Sequence, residues 1–153
     1  MSSKVTVTNY AAFTSKYGAA GVAKLKKAVA RMVAADKLRG VQSRVADVSN
    51  AQHMKVAGGK RVADPLDRKA NKDAVDVLFR KTRPDYLMLL GSVDVVPHQE
   101  MDNPFAGGDG DPTVPGDLPY ACEAPFSSRI EKFKGPTRVV GRLPNITGDA
   151  TPD

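Results

Sequence analysis

The 153-residue sequence contains one cysteine, Cys122, which excludes an internal disulfide and leaves no cysteine spacing suited to a metal. No apolar run approaches the roughly 20 residues that a membrane-spanning helix needs, so no membrane partner is expected. The first residues, through Lys4 and Val5-Thr6-Val7-Thr8, include no apolar stretch of the secretory kind. The expected compartment is therefore the cytoplasm, or the exterior if a leader has been removed. No glycine-rich phosphate loop follows this first β-branched stretch, which argues against a nucleotide-handling α/β domain.

Apolar residues make up 41% and charged residues 26%, ordinary values for a globular chain. The length suits one domain, able to bury roughly 68–70% of its unfolded surface. The net charge is +6, but Lys24, Lys26, Lys27, Arg31, Lys37 and Arg39 lie on one helical segment opposite its apolar stripe. They read as a solvated helix face. No aromatic is interleaved with them for base stacking, so a nucleic-acid partner is not expected.

The chain is organised around Pro84 to Pro97. From Tyr86 to Leu90 it is unbrokenly apolar, the pattern of a strand covered on both faces of a parallel sheet. Gly91, Ser92 and Asp94 follow where open α/β sheets place their ligand-handling loops, which makes Asp94 a candidate substrate-binding residue. Upstream, Val5–Thr8 reads as a first strand. Val22, Leu25, Val29, Met32 and Val33 recur at helical spacing from Gly21 to about Leu38, with Gly40 fit for the cap. Val41 to Val48 alternates as a second strand. Residues 50–65 read as a loop, and Asp67, Ala70, Ala74, Val75, Leu78 and Phe79 mark a second helix ending near Lys81. The β-α-β-α-β order predicts a mainly parallel sheet in a three-layer α/β/α arrangement, with the Tyr86–Leu90 strand flanked by Val41–Val48 and Thr137–Gly141. Residues 96–125 are a long Pro/Gly/Asp-rich loop, long enough to be functional. Thr137 to Pro144 reads as a further short strand, and Phe126 to Lys134 is ambiguous.

Three stretches in series carry a family resemblance: Tyr86-Leu87-Met88-Leu89-Leu90-Gly91-Ser92 running to Val96-Pro97, then Gly116-Asp117-Leu118-Pro119-Tyr120, then Val139-Val140-Gly141-Arg142-Leu143-Pro144. Together they resemble the gingipain-like cysteine peptidases of bacteria, relatives of the caspases, over roughly Val41 to Pro144. Ser92 and Gly116 depart from the family's usual Asp and Ser. The resemblance implies a caspase-like domain, incomplete in this chain. The chain would contribute the sheet scaffold and the substrate-pocket loop of a cysteine endopeptidase acting on a peptide or protein. The catalytic His and Cys would lie on a carboxyl-terminal segment or a second chain. The alternative is a catalytically inactive α/β binding or scaffold domain of the same fold.

The resemblance gives Asp117 and Tyr120 as candidate substrate-binding residues, because in the family the Asp of Asp-x-x-Tyr can line the pocket for a basic side chain. A fixed carboxylate in a cleft favours Arg or Lys and rejects neutral side chains; an Asp in a turn before Pro119 is the plain structural reading. No catalytic residue is expected in this chain, since neither His53 nor His98 stands before a glycine. A Cys122–His98 pair across the loop is the one internal alternative, and it would need the two in hydrogen-bond reach and the thiol pKa lowered. No cofactor is expected. Asp102, Asp109 and Asp111 offer oxygen ligands for calcium but lack the full EF-hand spacing.

Overall fold

The computed structural model describes residues 2–145, the Asp109 side chain excepted. In chain order its elements are β1 (Ser2–Thr8), α1 (Tyr10–Leu38), β2 (Val41–Asp47), α2 (Ala51–Ala57), α3 (Arg68–Thr82), β3 (Tyr86–Leu90), β4 (Gln99–Asp102), the single turn α4 (Ala106–Asp109), β5 (Thr113–Gly116) and β6 (Val139–Leu143). Short 3-10 turns stand at Leu118–Ala121 and Ile130–Phe133.

Local chemistry accounts for where the helices begin and end. Asn9, Asn50 and Asp67 each accept a hydrogen bond from the backbone N–H three residues on, at Ala12, His53 and Ala70, and so satisfy a donor that the first helical turn leaves unpaired. Gly58 ends α2 in the left-handed conformation. Within α1, Gly18 has φ 65° and ψ 177°, so the helix is two segments joined at a kink.

Four strands form a parallel sheet in the order β2-β1-β3-β6. The crossover from β1 to β2 runs one way along the sheet and that from β2 to β3 runs back. Right-handed connections therefore place α1 and α3 on opposite faces. Val5, Val7, Leu87 and Leu89 of the central strands are buried together with Phe13, Val22 and Val29 of α1 and Val75, Leu78 and Phe79 of α3. β4 and β5 form a separate antiparallel pair, which packs its own small core of Met101, Cys122 and Phe133.

The mainly parallel sheet is as expected, and its strand order corrects the sequence reading. β3 is central, but its neighbours are β1 and β6; β2 lies at the edge. The reason is in the side chains. Val5 to Thr8 are all essentially buried, and Thr8 Oγ1 donates to Leu90 O at 2.9 Å, whereas β2 exposes Gln42 and Arg44 as an edge allows. β3 is also less fully covered than an unbroken apolar run suggests, since Tyr86 is 45% exposed. Three further elements correct the loop assignments. α1 begins at Tyr10 rather than Gly21, α2 occupies part of residues 50–65, and the β4–β5 hairpin lies within residues 96–125.

Among the described residues nothing pairs with the outer side of β6, where Val139 and Leu143 are exposed. No helix among the described residues is long and apolar enough to cross a membrane.

Leu89 is fully buried in the central strand. Leu89→Ala should lower the free energy of unfolding by about 2–5 kcal/mol in a urea titration. Leu89→Asp should give no cooperative transition at all, because an unpaired carboxylate there has no partner. A wild-type-like midpoint for either variant would contradict the central placement of β3.

Candidate functional site

The carboxyl ends of the parallel strands, where ligands bind in open α/β sheets, bring together the three stretches singled out in the sequence. Gly91 leaves β3 with φ +127°, and a Cβ on it would fall 2.6 Å from the Val95 side chain. Only glycine fits, on both counts. The tight turn that results lets the N–H groups of Val95 and Val96 donate to Ser92 O at 3.0 and 2.9 Å.

Arg142, near the end of β6, reaches across this turn. Its Nη1 donates to Gly91 O at 2.6 Å and Val96 O at 2.7 Å, while Nε and Nη2 donate to Asp117 Oδ2 and Oδ1 at 2.7 and 2.6 Å. The last two bonds are the bidentate fork that guanidinium and carboxylate form best. Both Asp117 oxygens thus accept from the chain's own arginine. In this geometry the carboxylate fastens its loop to the sheet rather than standing open at the floor of a pocket for a substrate side chain. His98 Nε2 lies 3.9 Å from the same Asp117 Oδ1.

Tyr120 is fully buried. Its hydroxyl donates to Pro97 O at 2.8 Å and accepts from Gln99 Nε2 at 2.6 Å, so it too ties the loop to the turn after β3. Burial raises its phenol well above the ordinary value, against a smaller opposing effect of the Gln99 bond. Asp94 faces α1, where its Oδ2 accepts from Lys16 Nζ at 2.7 Å. Ser92 N–H donates to Asn145 Oδ1 at 2.7 Å, and Asn145 Nδ2 donates to the Tyr17 hydroxyl at 3.0 Å. The first segment of α1, absent from the sequence reading, therefore supplies two of the side chains at this edge.

Cys122 and His98 are in separate surroundings. His98 borders a shallow cavity of about 430 Å³ with Leu66, Arg68, Val93, Glu100 and Pro115. Cys122 is buried, with Sγ 3.6 Å from Phe133 O, and burial pushes its thiol pKa up although Lys72 opposes this. A reactive thiol needs the opposite shift and an exposed position. Of the calcium candidates, Asp102 accepts from Ser128 Oγ at 3.0 Å, Asn103 Nδ2 donates to the Asp111 backbone carbonyl at 2.8 Å, and the Asp109 side chain lies outside the described residues. Among the described residues, no three His, Cys, Asp or Glu side chains are grouped to hold an ion.

One polar cluster had no counterpart in the sequence reading. Lys72 is completely buried and donates to Asp76 Oδ2 at 2.5 Å and to Cys122 O at 3.2 Å. Arg138 Nη1 approaches Asp76 Oδ1 at 2.9 Å, yet the alignment is too poor for a hydrogen bond, and none of its guanidinium nitrogens makes one among the described residues. The guanidinium instead sits over the Phe79 ring at 4.2 Å. Burial lowers the Lys72 pKa, Asp76 pulls it back up, and Arg138 adds to the lowering. An i,i+4 Lys–Asp pair normally marks an exposed helix face, so the spacing pointed the wrong way.

No family model matches this chain, and no match was found among curated proteins or solved structures.

Two outcomes test this edge. Arg142→Gln leaves two carbonyls and a carboxylate without their charged donor and should cost on the order of 2–3 kcal/mol. Backbone amides of residues 96–121 should then exchange faster, while those of β1 keep their protection; uniform loss across the sheet would contradict the fastening role. Tyr120→Phe should cost about 1–3 kcal/mol near neutral pH. The Tyr120 pKa is raised on folding, so its contribution is full below the ordinary tyrosine value and lost as pH rises toward the folded one. The gap between wild type and Tyr120→Phe should therefore narrow above about pH 10, and a constant gap would contradict the assignment.

Proposed function

We propose that the chain is the sheet scaffold and loop-bearing part of a caspase-like, gingipain-like cysteine endopeptidase, with the His/Cys dyad on a following or separate segment. The observation that carries this reading is the meeting of three separated stretches on one guanidinium: the Gly91–Val96 turn, the Asp117 to Tyr120 loop and the Gly141-Arg142 strand end. These are the same stretches on which the family resemblance rests. In this reading Asp117 and Tyr120 shape the cleft wall by holding the loop in place, Cys122 is a packed core residue, and the chain alone is inactive. The outer side of β6, unpaired among the described residues, and the neighbouring apolar groove of about 230 Å³, lined by Phe13, Leu25, Met32 and Leu143, are where the dyad-bearing segment docks.

The test uses an active-site-directed probe with a basic residue at P1, applied to the protein purified under native conditions. Labelling of a cysteine on a co-purifying polypeptide or on a segment beyond this chain, with Cys122 unlabelled, is the expected result. Hydrolysis by the isolated chain that disappears in Cys122→Ala would overturn the division of labour. No labelled cysteine anywhere would leave the inactive scaffold domain in its place.

A further inference from the structure

The net charge of this protein is not spread over its surface. Of the 23 Lys and Arg and the 17 Asp and Glu, residues 21–44 hold seven and one, which leaves sixteen of each elsewhere. The whole excess therefore sits on α1 and the start of β2. Lys24, Lys26, Lys27, Arg31, Lys37 and Arg39 are all exposed. Among the described residues none of the six has a carboxylate within ion-pair distance. The one acid of the segment, Asp36, is turned away: it is paired with Lys4 and accepts from Ser43 Oγ at 2.5 Å. Burial works to raise its pKa, and Lys4 and Ser43, with a smaller contribution from the Arg39 charge, hold it below the ordinary carboxylate value.

The arrangement is directional as well as basic. At 100° per residue, Ala23, Ala30 and Ala34 share one exposed strip of α1, opposite Leu25 and Met32, which pack against the core. Lys24, Lys27 and Arg31 line one flank of that strip, and Lys26 and Lys37 the other. The segment from Gly18 to Leu38 is about 30 Å long. It thus presents a strip of small residues between two rows of long, exposed cations.

We propose that this face docks the phosphate backbone of a double-stranded nucleic acid without regard to sequence. Absence of stacking aromatics argues against reading single strands, but phosphate contacts need charge alone. Two other partners fit less well. A bilayer would need apolar side chains to insert, and the one large apolar residue of this outer face is Leu38, at its end and 91% exposed. A protein partner would be anchored by aromatic residues, and the Tyr10 ring beside Lys26 is covered by that side chain, with Nζ 4.7 Å from the ring centroid. The inference is independent of the peptidase reading and uses none of the residues at the strand ends.

The test is fluorescence anisotropy of the full chain with a random-sequence DNA duplex of about two helical turns, titrated at several salt concentrations. For six neutralised phosphates, log K should fall with log salt at a slope of about −5. The variant Lys24→Gln/Lys27→Gln/Arg31→Gln should have a slope shallower by about 3 and an unchanged circular dichroism spectrum. Lys55→Gln/Lys132→Gln, exposed bases outside the face, should behave as wild type. Equal binding by the triple variant, no duplex binding at low salt, or tighter binding to phosphatidylserine vesicles or an acidic peptide than to the duplex would each overturn the proposal.

Discussion

The guanidinium of Arg142 holds the carboxyl edge of the sheet in place. Four hydrogen bonds, all between 2.6 and 2.7 Å, run from one planar group to Gly91, Val96 and Asp117, which lie 51, 46 and 25 residues away. Arg142 and Tyr120 join the turn after β3 to the long loop before β6. Lysine could not replace Arg142, because an ammonium offers three donors at one point and no fixed fork. The loop is irregular in sequence and yet defined in space because charge and burial fix its two ends.

β6 depends on charge at both of its ends. Arg138 precedes its first residue and is drawn under α3 by Asp76 and Phe79, while Arg142 closes the other end. Between them the strand has ladder bonds on one side only among the described residues, and its side chains alternate between exposed and half-buried. Two arginines thus do for this edge what a second neighbouring strand does for β1 and β3. The arrangement at Arg138 is the costlier one. Two cations share one buried carboxylate, and replacing such a group by apolar side chains of equal volume is often neutral or stabilising.

Much of the fold was legible from periodicity. The long segment of α1, all of α3 and the four parallel strands follow from apolar spacing, and Asp67 marked the start of α3. What was missed was short or interrupted. α2 has seven residues, fewer than two helical repeats, so only its caps, Asn50 and Gly58, could have shown it. The first segment of α1 was hidden by Gly18, and the four-residue strands of the hairpin by the prolines around them. Strand adjacency cannot be read from one sequence, because right-handed crossovers permit β1 or β2 beside β3. The clue was composition: the Gln42 and Arg44 of β2 belong at an edge. At the site, Asp117 and Tyr120 stood out, but nothing local showed that Arg142 would occupy both oxygens of Asp117. Lys72 was missed because helical spacing reports neighbours on a helix and not which side faces the core.

Gly91 sets a limit on how this structure can vary. Its φ of +127° disfavours any side chain, and the Val95 side chain already fills the space that a Cβ would take. A smaller residue at position 95 would relieve the second obstacle and leave the first intact, so no single compensating change opens the position. The direction in which the chain leaves the central strand is therefore fixed by the backbone itself. Change at this edge has to come from the length and content of the loop beyond Val96, with the point of departure held constant.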